Sequence, residues 1–218
     1  MTSNVGFDII YLKEIEQTFK FIRGGREMEK IIEKGIEAIL PVYVKDRGNC
    51  TLIYTRHDEI IVEKTIKTII INICKYYHLD LKASNESYGD LLSIKKYPPI
   101  PFTYNQIFIP IKTRIPIGKH DGAYGYVNIN SIEKITKLKS EDNSLLHLSN
   151  NRSIEVYSKV TTILKNVSKG QVVKKILAKG NTSMIHEEES LYIAEDKAAT
   201  KKDIAMVYKE IMRIKSIL

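Results

Sequence analysis

Three groups of cationic side chains have the type and spacing to do chemistry in this sequence, and that chemistry is phosphate contact. The first group is Lys95 and Lys96. The second is Lys112, Arg114 and Lys119, which precede the only acid of their loop, Asp121. The third lies between Lys159 and Lys179, where Lys165, Lys169, Lys174 and Lys175 belong to a run of six lysines with no acid among them. Flexible cations set along one surface neutralise a phosphate backbone by displacing condensed counterions, which makes binding steeply salt-dependent. The whole chain leans the same way: 34 lysines and arginines against 26 acids give a net charge of +8. That balance favours a polyanionic partner, nucleic acid first and an anionic membrane surface second. A rival explanation is compositional. Lysine outnumbers arginine 27 to 7, and isoleucine, asparagine and tyrosine abound, as AT-rich coding tends to produce. Lysine supplies affinity more readily than base reading, so the scarcity of arginine points to backbone and groove-shape recognition, or to A·T-rich minor grooves. The tyrosines could stack on single-stranded bases, yet no aromatic doublet marks a sheet-borne RNA platform.

Reactive groups for catalysis are sparse. None of the five histidines (His57, His78, His120, His147, His186) sits at a His-x-x-x-His or Glu-x-x-His spacing, so neither a metal nor any other cofactor is expected. Ile117-Gly118-Lys119 lacks the upstream glycine and following hydroxyl of a phosphate loop. Gly122-Ala123-Tyr124-Gly125 is wrongly spaced for a dinucleotide fingerprint and precedes a strand. Cys50 and Cys74 lie in apolar company, with no Cys-x-x-Cys pair; both read as core residues in a reducing, cytoplasmic compartment. The first residues lack a secretion-signal layout, and no apolar run approaches the roughly 20 residues of a membrane helix. An enzyme and a membrane protein are therefore not expected.

The elements that must position the cations follow from periodicity. Apolar residues at spacings of three and four predict a helix over 8–22 and a second over 26–34, closed by Gly35. This pair is either an appendage to a sheet or a self-association element. Ile36 to Val44 reads as a strand whose Pro41 suggests an edge or a bulge. Cys50–Thr55 and Ile60–Glu63 form a hairpin around His57-Asp58-Glu59. Thr65 caps a central packing helix through Ile69, Ile70 and Ile73. Lys82 to Ser87 is polar and reads as a loop, with a short helix over Tyr88–Ile94. Tyr97-Pro98-Pro99 is extended, since proline disfavours helix in the residue before it. Short strands follow: Gln106–Ile111, Tyr124–Asn128, Ser131–Lys139, and a hairpin of Leu145–Ser149 with Ser153–Tyr157 around Asn150-Asn151. Gly170 divides the lysine-rich segment into two short helices. Ser190-Leu191-Tyr192-Ile193 is strand-like, and Thr200 caps a closing helix through Ile204, Val207, Tyr208, Ile211 and Ile214.

From about Gly35 to Gln171 the sequence resembles the ComK family of competence transcription factors. The resemblance is carried by Ile39-Leu40-Pro41, by the spacing from Cys50 through Cys74 to Pro98-Pro99-Ile100, and by Asn105-Gln106-Ile107-Phe108 leading to Pro110. Tyr124-Gly125-Tyr126-Val127 and the strand-turn-strand from Leu145 to Tyr157 continue it, with an echo in Glu189-Ser190-Leu191-Tyr192. It implies a cytoplasmic, nucleoid-associated activator that binds A·T-rich double-stranded DNA, largely through the minor groove, as dimers acting in pairs. It also implies that Leu191, Tyr192 and Ile193 match a segment recognised by a Clp-protease adaptor. The chain departs from the family at Ala83-Ser84, where a basic glycine-arginine segment is usual, and at Gly125-Tyr126, where cysteine or tryptophan is usual. The expected fold class is α+β, a mostly antiparallel sheet flanked by helices. The expected organisation is a helical extension over 1–34, the core over 35–180, and a tail over 181–218 with an acidic stretch and a helix. The alternative to a DNA-binding regulator is a module of this fold that has lost the DNA surface and acts on another regulator.

Overall fold

The computed structural model describes residues 20–22, 25–119, 121–138, 143–149 and 151–193. It is an α+β protein. Ten strands run in chain order: β1 (Lys20–Ile22), β2 (Ile36–Val44), β3 (Gly48–Thr55), β4 (Glu59–Val62), β5 (Ile100–Thr103), β6 (Gln106–Lys112), β7 (Tyr124–Asn128), β8 (Ile132–Lys137), β9 (Ser144–Leu148) and β10 (Ser153–Val156). Four helices accompany them: α1 (Gly25–Glu33), α2 (Ile66–Tyr76), α3 (Leu81–Leu91) and α4 (Val160–Ile193). Seven strands form one sheet in the order β1-β4-β3-β2-β7-β6-β5, antiparallel apart from the β1–β4 pair, and β10-β9-β8 form a second, antiparallel sheet.

Alternation along the strands gives the large sheet two apolar faces. Leu40, Val42, Leu52, Ile61, Ile109 and Val127 point to one, where Leu146, Leu148, Ile154 and Val156 of the small sheet and Ile163 of α4 cover them. Ile39, Ile53, Ile60, Phe108 and Tyr126 point to the other, beneath Met28, Ile31 and Ile32 of α1 and Ile69, Ile70 and Ile73 of α2. Helix α1 is thus part of the core packing. Arg152, in the turn between β9 and β10, pins the small sheet to the large one: its Nε donates to Glu59 Oε1 at 2.7 Å and its Nη1 to the Thr55 carbonyl at 2.7 Å.

Local chemistry explains the elements read correctly. Gly35 ends α1 with φ +78°, a conformation that costs glycine nothing. Thr65 caps α2, accepting from the Thr68 amide. Asn151 takes φ +63° in the β9–β10 turn.

Six expectations are corrected. Lys20–Ile22 is a strand rather than the end of a helix, because it supplies partners to the outer edge of β4; the rest of the segment from 8 lies outside the described residues. Pro41 is in a central strand, opposite Thr51, and the irregularity of β2 falls between Ile36 and Ala38. The pairing of β2 with β7 covers Ala38 and Ile39, which leaves Pro41 beyond it. Lys82–Ser87 is helical: the Asp80 carboxylate accepts from the Lys82 and Ala83 amides and starts α3. Tyr97 is not extended but left-handed, at φ +55°. Gly170 does not break α4, since a Cβ there would lie 2.8 Å from Ile109 and Ile129 methyls, so the glycine permits close helix–sheet approach. Ser190–Ile193 continues α4 and is not a strand. The helix expected after Thr200 lies outside the described residues. Residues up to Ile176 make one compact unit and those from Leu177 a second.

Candidate nucleic-acid interface

The first two cationic groups are linked through one tyrosine pair at one end of the large sheet. Lys112 closes β6 opposite Tyr124, the first residue of β7, and the Tyr97 ring stacks on the Tyr124 ring with centroids 4.5 Å apart. Lys95 and Lys96 immediately precede Tyr97, so the stack ties their segment to the start of β7, the strand that pairs with Lys112. Lys95, Lys96 and Lys119 are exposed and Lys112 is half-buried. None of the four has an ion-pair partner among the described residues. Such side chains keep their charge available to a polyanion.

Arg114 behaves differently. It was expected on this cationic surface, and it is 3% exposed. Its Nε donates to the Gly122 carbonyl at 2.7 Å, and its guanidinium lies over the Tyr43 ring, 4.3 Å from the centroid. Burial pulls its pKa down from the usual arginine range. The acid that ends the loop organises it: Asp121 accepts from the Tyr43 hydroxyl at 2.5 Å, the Gly118 amide at 2.9 Å and Asn49 Nδ2 at 3.2 Å. The hydrogen bond from Tyr43, above all, holds its carboxyl below the usual carboxylate range. The Tyr43 hydroxyl in turn accepts from the Ile117 amide at 2.8 Å. The loop is therefore a hydrogen-bonded platform that carries Lys112 and Lys119, with Arg114 as an internal strut.

The third group is on α4, which starts near Lys112, where the Tyr157 amide donates to the Lys112 carbonyl at 2.8 Å, and carries Lys174 away from it. Helix α4 packs on the face opposite α2, through Ile163 and through Asn166, whose Nδ2 donates to the Pro110 carbonyl at 2.9 Å. Lys174 Nζ reaches Asn130 Oδ1 at 2.7 Å and stands 5.4 Å from the Tyr104 ring centroid. Tyr104 sits in the β5–β6 turn, so this contact is roughly 20 Å from Lys112 at the strand rise of about 3.3 Å per residue. At about 100° per residue, Lys165 and Lys169 share one side of α4, Lys174 lies roughly opposite Lys165, and Lys175 points another way. The four do not form one track. Leu191, Tyr192 and Ile193 are the last helical residues of α4.

Burial raises the thiol pKa of Cys50, and that of Cys74 to about 11, which disfavours the reactive thiolate. His147 lies between Ser153 Oγ at 2.9 Å and Thr136 Oγ1 at 3.0 Å in a cross-strand row on the small sheet. Among the described residues no group of three His, Cys, Asp or Glu side chains is placed to hold a metal ion, and no helix is long and apolar enough to cross a membrane.

Comparison with protein families matches ComK protein over residues 27–182, well over half of the chain. The chain belongs to the ComK family. The match takes in most of α1, all ten strands but β1, and α4 into its second half, so the α1 segment sits inside the ComK region. No curated protein and no solved structure matches the chain. Sequence reasoning had grouped Arg114 with the surface lysines. The aromatic partner that draws it inward, Tyr43, lies 71 residues earlier and carries no local signal.

Proposed function

We propose that this ComK-family chain is a DNA-binding transcriptional regulator that grips A·T-rich duplex, through the minor groove, to control DNA-uptake genes. The observation that carries the reading is four lysines without carboxylate partners among the described residues: Lys95 and Lys96, which precede Tyr97 of the Tyr97–Tyr124 stack, Lys112, which pairs with Tyr124, and Lys119 in the loop between β6 and β7. Lysine clusters of this kind bind phosphate and attract the narrow, strongly negative grooves of A-tracts. Assembly as a homodimer or a pair of dimers, a cytoplasmic location, and delivery to a Clp protease through Leu191, Tyr192 and Ile193 extend the same proposal on family likeness. The test is a gel shift with an A-tract duplex and a G·C-rich duplex across a salt series. Tighter binding of the A-tract duplex, weakening steeply with salt, supports the reading; equal binding, or none at low salt, overturns it.

A second reading has its own observation. Arg114 is turned inward, and the family's basic segment is replaced by Ala83 and Ser84 on α3, of which Ser84 is buried. Both changes subtract cations from the surface and fit a protein-interaction module acting on another regulator. An oligomer retained without any DNA shift would select this reading.

A further inference from the structure

We propose that the tip of the β6–β7 loop, Ile115-Pro116-Ile117, is an apolar wedge that enters one base step of duplex DNA from the minor groove and partly unstacks it. Such a wedge rests on the DNA-binding role proposed above. Ile117 is 71% exposed and Ile115 59%, the two most exposed large hydrophobic residues among those described, and Pro116 between them is exposed as well. Single apolar side chains are ordinary on a protein surface. Three in succession at one loop tip are a liability that persists only where a contact uses them.

The loop holds the tip out rigidly. Before it, the Thr113 amide donates to the Ala123 carbonyl at 3.0 Å, and the Arg114 side chain is fixed by the Gly122 carbonyl and the Tyr43 ring. After it, the Ile117 amide donates to the Tyr43 hydroxyl at 2.8 Å and the Gly118 amide to Asp121 at 2.9 Å. Pro116 restricts its own φ. Anchored on both sides, the tip loses little conformational freedom on binding, and its contact energy stays available to deform a partner. Charge and size select that partner. Lys112 and Lys119 flank the tip in sequence, without ion-pair partners among the described residues. Minor-groove proteins combine these features: cations hold the phosphates while an Ile, Leu or Pro side chain pries a step apart. A second copy of the chain fits poorly, because a stable interface buries about 800 Å² on each partner, far more than three side chains supply. A-tracts are stiff and TpA steps unstack easily, so the wedge is directed to a TpA step lying between A-tracts.

The test uses the full chain and an A·T-rich duplex with one TpA step between A-tracts, in which 2-aminopurine replaces each adenine in turn. This base is dark when stacked and brightens when unstacked; anisotropy of an end label reports binding separately. The wild-type chain is expected to brighten the probe several-fold at the TpA step. Changing Ile115→Ser together with Ile117→Ser alters two exposed side chains and no charge. That variant should still bind, with affinity lowered by about tenfold or less because the unstacking cost disappears with the wedge, and should leave the probe dark. Ile115→Leu with Ile117→Leu should keep it bright. Wild-type binding without brightening at any position, or brightening that survives in the double serine variant, overturns the wedge and leaves the regulator reading standing. No DNA binding at all overturns that reading and the wedge with it. Adsorption to phosphatidylglycerol vesicles that requires both isoleucines, beside DNA binding indifferent to them, overturns the wedge in favour of a membrane contact.

Discussion

Four lysines near the Lys112 end of the large sheet and four on α4 use their positive charge differently. At the Lys112 end, a hydrogen-bonded loop and a tyrosine stack adjoin four lysines without ion-pair partners among the described residues and bury one arginine. On the α4 face, lysines are distributed around a helix, and Lys174 is spent on Asn130 and Tyr104. The difference teaches that a basic run in sequence is not a basic surface. Position relative to the tertiary frame decides whether a cation meets phosphate, props a loop or merely solvates a helix.

The largest expected effect on stability comes from overpacking two glycines whose Cβ positions both point into the α4-covered face of the sheet. A Cβ on Gly125 of β7 would lie 2.9 Å from Leu40 Cδ2 and Thr113 Oγ1 and 3.0 Å from the Ile39 carbonyl. Backbone of a central strand cannot step aside, so Gly125→Ala should cost about 1–3 kcal/mol in urea unfolding. Gly170→Ala, in α4 against the same face, meets only side-chain methyls of Ile109 and Ile129. The better helix propensity of alanine, about 1 kcal/mol, offsets part of the overpacking, and a smaller loss is expected. A larger loss for Gly170→Ala would reverse the comparison.

Alkaline pH should weaken the α2 face next. Burial lifts Cys74 to about 11 and Tyr126 to about 12. Both groups are held protonated in the folded state, so their contribution is complete below the unfolded values, near 9 and 10. It is lost as pH rises through the folded ones. Stability measured by denaturant midpoint should therefore hold to pH 8 and fall between about pH 9 and 12, by about 1–2 kcal/mol for the thiol. Cys74→Val should flatten the first part of that fall; an unchanged profile would show that the thiol is not the source.

The smallest effect concerns the loop itself. The Asp121 carboxyl is held low mainly by the Tyr43 hydroxyl. Its contribution is present above the ordinary value of 3.8 and lost as pH falls below it. Asp121→Asn at neutral pH should leave the global unfolding midpoint nearly unchanged while speeding tryptic cleavage at Lys119. Unaltered cleavage would show that Asp121 does not hold the platform.

How far this was readable beforehand differs by element. The Thr65 cap, the Gly35 stop and the Asn151 turn are local chemistry, and the sequence showed them. Helix α3 was hidden because Lys82–Ser87 is polar and its start depends on one side chain, Asp80. Gly170 was misread because its reason is a neighbour, Ile109, 61 residues away. Pro41 suggested an edge, whereas its central strand simply loses one neighbour beyond Ile39. At the candidate interface the lysines were legible as charge, and their grouping was not. The Tyr97–Tyr124 stack and the capture of Arg114 by Tyr43 are long-range contacts with no periodic signature.

The most direct measurement compares two charge reversals for binding to an A-tract duplex across a salt series: Lys95, Lys96, Lys112 and Lys119 each to Glu, and Lys165, Lys169, Lys174 and Lys175 each to Glu. Because its four lysines no longer neutralise phosphates, the first variant should flatten the log–log salt slope by roughly 3–4 and abolish the preference over G·C-rich duplex, while the second keeps most of both. A normal slope in the first variant, or a collapse confined to the second, would contradict the placement of the DNA surface at the Lys112 end of the sheet.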